Sequence, residues 1–179
     1  LLMGKGREAQ FPQLGSYGGG VFSYRASPVI TNNIIRECGT AGVTGFSGGG
    51  GICCHDGNVV IENNLIESSL AQSGGGIYAY QATVTARNNR IVGSRPNVEY
   101  TGTKRGGGIC ALYSTLMLEN NVIEDNAGYN YGGGIYGYFS DIAIAGDTIS
   151  ANAVSMGGGG LCTERSELGA AGAVIVGNI

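Results

Sequence analysis

The chain has one histidine, His55, in 179 residues, no tryptophan and no Cys-x-x-Cys pair. A lone imidazole cannot build a histidine-clustered metal centre. With no serine in a recognisable nucleophile elbow, it does not complete a catalytic triad either. Charge is also scarce: Asp, Glu, Lys and Arg make up 13%, and the net charge of -3 gives no basic footprint for nucleic acid. No stretch approaches the roughly 18 apolar residues of a membrane span, so no transmembrane segment is expected; the run from Ala170 to Val176 is too short. Residues 1–15 lack the charged-then-apolar layout of a signal peptide. What the chain does have is glycine, 35 residues of it. No three-residue period runs through them, which excludes collagen, and regularly spaced aliphatic residues argue against a disordered linker.

The glycines gather in six runs, each followed by an aliphatic anchor: Val21, Ile52, Ile77, Ile109, Ile135 and Leu161. Anchor spacings of 31, 25, 32, 26 and 26 residues lie in the range of stacked supersecondary units. Eleven and twelve residues after the anchors come Asn32-Asn33, Asn63-Asn64, Asn88-Asn89, Asn120-Asn121 and, in the fifth copy, Gly146-Asp147. Two residues later stands Ile35, Ile66, Ile91, Ile123 or Ile149. The distances from that isoleucine to the next anchor, 17, 11, 18, 12 and 12 residues, confine all length variation to one loop per copy. The preceding fourteen residues form the constant part.

Within that part the apolar period is two, which favours strands. The anchors alternate with Ser23, Cys54, Ala79, Ala111, Gly137 and Thr163, and further apolar pairs follow at Val59/Ile61, Val84/Ala86, Leu116/Leu118 and Ile142/Ile144. Three short strands per copy are expected. None can close a core alone, but stacked copies bury a continuous column. The paired asparagines suit a bend, because Asn tolerates left-handed backbone and its amide can bond the copies above and below. Asn33, Asn64, Asn89, Asn121 and Asp147 are therefore expected to form a structural ladder, with the second position of each pair the more demanding.

These features, with Ile-x-x-Asn-Ala at Ile123–Ala127 and Ile149–Ala153, resemble a right-handed parallel β-helix of the pectin-lyase-like class. They also resemble the glycine-rich repeats of polymorphic outer-membrane protein and autotransporter passengers. The expected fold is all-β: a single-stranded solenoid of about six rungs with three short strands per rung. One domain spans 1–179, with 1–17 a partial preceding rung, 18–165 the repeats and 166–179 an incomplete last rung. Solenoids normally carry polar caps; since neither end shows one, the chain is expected to be a piece of a longer protein.

Cys53, Cys110 and Cys162 fall in one column two rungs apart. At roughly 9.6 Å from twice the strand spacing, they are too distant for a disulfide, which needs Cα atoms within about 6.8 Å. Cys38 and Cys54 remain open as partners, and five cysteines leave at least one free thiol. All five read best as small hydrophobes. The same outward column contains Phe22, Tyr78 and Tyr136, and the next contains Tyr24, His55, Tyr80 and Tyr138. This aromatic strip could stack on sugar rings. The longest loops, Gly39–Ser47 and Arg95–Arg105, should wall it, with Arg25, Asp56, Lys104 and Arg105 supplying charge.

Catalysis finds little support. Asp56 and Glu164 lie four rungs apart, roughly 19 Å by strand spacing, whereas an inverting glycosidase needs carboxyls about 6.5 to 9.5 Å apart. The aspartate and histidine cluster of galacturonan hydrolases has no counterpart here. A lyase of this class would need an acidic cluster for Ca2+ and a base such as Arg25, Lys104 or Arg105; only under that alternative is a cofactor expected. The leading expectation is a non-enzymatic, monomeric, extracellular or cell-surface β-helix that binds a polysaccharide or cell-surface glycan, or presents an adhesive scaffold. Its ligand-binding residues would be Tyr24, Arg25, His55, Asp56, Tyr78, Tyr80, Lys104, Arg105, Tyr136 and Tyr138. A polysaccharide lyase or glycoside hydrolase acting on an acidic polysaccharide, and a purely structural stalk, are the alternatives.

Overall fold

A computed structural model describes residues 5–6, 16–40, 47–97 and 102–179. Equivalent residues of the six copies pair in three parallel six-stranded sheets. Sheet 1 contains Val21–Tyr24, Ile52–His55, Ile77–Tyr80, Ile109–Leu112, Ile135–Tyr138 and Leu161–Glu164. Sheet 2 contains Val29–Thr31, Asn58–Glu62, Thr83–Arg87, Thr115–Glu119, Asp141–Ala145 and Glu167–Ala171. Sheet 3 contains Ile34–Arg36, Leu65–Glu67, Arg90–Val92, Val122–Glu124, Thr148–Ser150 and Val174–Val176. The anchors stack on one another, Val21 on Ile52 on Ile77 on Ile109 on Ile135 on Leu161. No helix among the described residues is long and apolar enough to cross a membrane.

The constant part of the repeat is longer than the fourteen residues expected. Register continues around a further corner to Gly39, Leu70 and Arg95, which pair side by side, and to Ala127 and Ala153. A short extra ladder forms there, from Lys5–Gly6 through Gly39–Thr40 and Leu70–Ala71 to Arg95–Pro96. The bends explain why length cannot vary earlier. Each rung turns where a residue adopts left-handed backbone, as in the series Asn32, Asn63, Asn88 and Asn120, with φ between 54° and 59°. Gly146 (φ 70°) holds that corner in the fifth rung, where no side chain opposes the conformation. One extra residue before the last corner would turn every inward side chain outward.

Inside, one cluster runs the length of the solenoid, including the anchors Ile52, Ile77, Ile109 and Ile135 and the sheet 3 residues Ile35, Ile66, Ile91, Ile123 and Ile149. Beside it runs the asparagine ladder. The backbone N–H groups of Asn33, Asn64 and Asn89 donate to the side-chain oxygens of Asn64, Asn89 and Asn121 at 2.9, 3.0 and 2.9 Å. Asn121 donates both its backbone N–H and its Nδ2 to Asp147 Oδ1, at 2.8 and 2.7 Å. The two residues of each pair thus divide the work. The first turns the chain and the second satisfies buried polar groups that would otherwise be costly.

A second ladder escaped the sequence reading. Ser94 N–H donates to Asn126 Oδ1, Asn126 N–H to Asn152 and Asn152 N–H to Asn178, at 3.0, 3.0 and 2.9 Å. Its signal was the Ile-x-x-Asn spacing at Ile123–Asn126, Ile149–Asn152 and Ile175–Asn178. In earlier rungs the column holds Cys38, Ser69 and Ser94, all fully buried.

Candidate ligand-binding surface

Sheet 1 was expected to expose its outward side chains, and most of that face is covered. Four residues before each anchor a column of Tyr17, Gly48, Ser73, Arg105, Tyr131 and Gly157 pairs rung to rung. This column lies over the strand that follows it. A Cβ built on Gly48 would stand 2.6 Å from Tyr78 Cγ, so the glycine rests on the face of that ring. Tyr17 lies 6.0 Å from Tyr78, and Tyr131 lies 6.2 Å from Tyr136. Together with Cys53, Cys110 and Leu112 these residues form a second apolar cluster.

The order Phe22, Cys53, Tyr78, Cys110, Tyr136, Cys162 is thus a packing alternation. Each ring spreads over the small thiol residues above and below it, inside a covered space. Burial raises the pKa of the Tyr78 and Tyr136 phenols and the Cys53 thiol, and pushes the Cys54 and Cys110 thiols up to about 12. All five cysteines are free, so Cys38 and Cys54 do not pair.

Four of the expected contact residues therefore lie inside. Tyr78 and Tyr136 are 1% exposed, the phenol of Tyr136 donating to Glu164 Oε1 at 3.0 Å. His55 is 5% exposed, its ring packed between Tyr24 and Tyr80 at 5.2 and 4.8 Å. Lys104 is buried with Nζ 5.1 Å from the Tyr129 ring, and the half-buried Arg105 sits 5.4 Å above Tyr136. The cations expected on a loop wall thus pack on aromatic rings instead. Residues 41–46 and 98–101 of the two loops lie outside the described residues.

A different surface emerges one position further along, at the corner between sheets 1 and 2. The corner residues Arg25, Asp56, Gln81, Tyr113, Phe139 and Arg165 all adopt left-handed backbone, with φ from 46° to 53°. Tyr113 and Phe139 are 49% and 43% exposed, and their rings stack 5.5 Å apart at 10°. Tyr80 and Tyr138, half-buried, meet Tyr113 edge-on at 6.0 and 5.7 Å. Tyr24, His55 and Tyr80 continue the column at its other end. Arg25 packs on Tyr24 at 5.1 Å and Arg165 on Phe139 at 5.2 Å. The result is an aromatic ridge parallel to the solenoid axis, about 24 Å long from five strand spacings, with an arginine at each end.

Of the residues expected from sequence, Tyr24, Arg25, Tyr80 and Tyr138 belong to this ridge. Asp56 flanks it, its Oδ2 3.6 Å from Arg25 and 3.3 Å from His55 Nδ1. Tyr113, Phe139 and Arg165 were missed. Their signal was the column of residues four after the anchor, where two aromatics interrupt a polar series. Among the described residues no three His, Cys, Asp or Glu side chains lie close enough to hold a metal ion.

Residues 19–179 match the family described as right handed beta helix region. The chain belongs to the right-handed β-helix family. This β-helix matches no curated protein and no solved structure, and the family match specifies a fold without a narrower class.

Proposed function

We propose that this β-helix is a non-enzymatic carbohydrate-binding repeat protein, acting outside the cell or at its surface, with a polysaccharide laid along the corner ridge. The reading rests on Tyr113 and Phe139. Left-handed backbone costs an ordinary L-residue roughly 1–2 kcal/mol, and a bulky side chain in that conformation is an outlier. Here both rings remain about half exposed, and the equivalent positions in the other rungs are polar. Every rung takes left-handed backbone at this corner, so what sets these two apart is that a turn position carries a large aromatic ring and leaves it about half exposed, which points to use. Stacked phenyl and phenol faces match the apolar faces of sugar rings, and the tyrosine hydroxyls add hydrogen-bonding groups. The β-helix fold by itself does not choose among binding, catalysis and support.

The test is native electrophoresis in gels cast with neutral or acidic polysaccharides, stained afterwards for intact polymer. Retardation of the wild type, abolished by Tyr113→Asn together with Phe139→Asn, is the expected result. Clearing of polymer around the band would replace this reading with a lyase or hydrolase. Free migration in every polymer would leave a structural stalk.

A further inference from the structure

Sheet 2 carries a second surface of different character. The middle outward column of this sheet runs Val29, Val60, Thr85, Met117, Ala143, Gly169. The loss of side chain from Met117 to Gly169 sinks a trough of about 330 Å³ into the sheet. A neighbouring hollow of about 230 Å³ continues beyond Met117 towards Thr85. Met117, 42% exposed, stands between the two hollows and closes one end of the trough. Asp141 and Glu167 stand on one wall as register neighbours.

Six of the described carboxylates are ion-paired, and these two, like Glu37 and Glu164, are not. Asp56, Glu62, Glu67, Glu119, Glu124 and Asp125 each lie beside an arginine. Asp141 and Glu167 have no such partner among the described residues, although like charges opposite each other in a sheet are unfavourable. Asp141 and Glu167 thus face each other across one register step with no cation between them, beside a floor lined by Ala143 and Gly169.

We propose that this trough binds an extended basic segment of a partner protein. A lysine or arginine lays its aliphatic stem over Ala143 and Gly169 against Met117, and its charged head lies between Asp141 and Glu167. Long cationic side chains combine an apolar stem with a charged end in this way, and the charge of the wall selects their sign.

The probe is a fluorescently labelled Lys-Leu-Lys-Leu-Lys peptide, followed by anisotropy at physiological salt, with its lysine-acetylated form as a control. The wild type should bind the first and not the second. Asp141→Asn with Glu167→Gln should weaken binding by about tenfold or more, while Glu37→Gln, which removes an unpaired carboxylate elsewhere, should leave it unchanged. Circular dichroism checks the fold of each variant. Equal binding by the double variant, or no binding by the wild type, overturns the proposal. The Tyr113→Asn, Phe139→Asn variant should retain peptide binding, so this surface and the glycan ridge can fail separately.

Discussion

At the residue scale, Asp147 shows how one atom type shapes a ladder. Asn64, Asn89 and Asn121 each donate Nδ2 to a carbonyl in the preceding rung, those of Ile30, Ile61 and Ala86. An ionised carboxylate can only accept. Asp147 is fully buried, and desolvation raises its pKa even though Asn121 and Ala145 donate to it. A carboxyl whose folded pKa is raised stabilises the fold at low pH and loses that contribution as pH rises through the folded pKa. Asp147→Asn should therefore be more stable than wild type at neutral pH, by about 1–3 kcal/mol, with the gap closing on acidification. Denaturant melts across pH would show this, and a pH-independent gap would refute it. The corner aromatics behave differently. Tyr113→Asn and Phe139→Asn exchange ring contacts worth about 0.5–1.5 kcal/mol for relief of left-handed strain, so melting temperature should hardly move while glycan retention is lost. The buried thiols add a third expectation: in native protein Ellman's reagent should reach at most Cys162, the only cysteine not fully buried. Rapid reaction of a second thiol would contradict the cover over Cys53 and Cys110.

At the scale of the elements, the strands and the main ladder could be read from the sequence because both repeat in register. The site could be read only in part. Alternation in a strand tells which side chains face the core, and it was natural to assign Tyr78 and Tyr136 to solvent. It does not tell whether another segment covers the outer face. That depends on the glycine run folding back, with residues such as Gly48 placed on the ring of Tyr78. The three cysteines alternating with rings were the available hint, since cysteine is among the most buried residue types. Gly48→Ala would put a methyl group into the Tyr78 ring, at 2.6 Å from Cγ. The cost should be about 1–3 kcal/mol of overpacking, measurable by denaturant unfolding. An unchanged midpoint would mean that the covering column is loose.

For the whole molecule, stability is close to a sum of rungs and their interfaces, so damage in the middle rungs breaks more than damage at either end. Ile109 is 1% exposed at the centre of the anchor column. Ile109→Asp would bury an unpaired charge and should cost more than about 4 kcal/mol, with loss of the strand signal in circular dichroism. A folded variant with unchanged melting would sink the register. The sequence by itself determined the solenoid, its six anchors, the three sheets and the ladder of Asn33, Asn64, Asn89, Asn121 and Asp147, because each arises from chemically similar residues meeting their own counterparts one turn away. Tertiary structure alone decided which aromatics reach solvent. That choice depends on contacts between unlike columns, such as Gly48 on Tyr78 and Tyr113 on Phe139, and on backbone angles at the corners, neither of which a repeat spacing encodes.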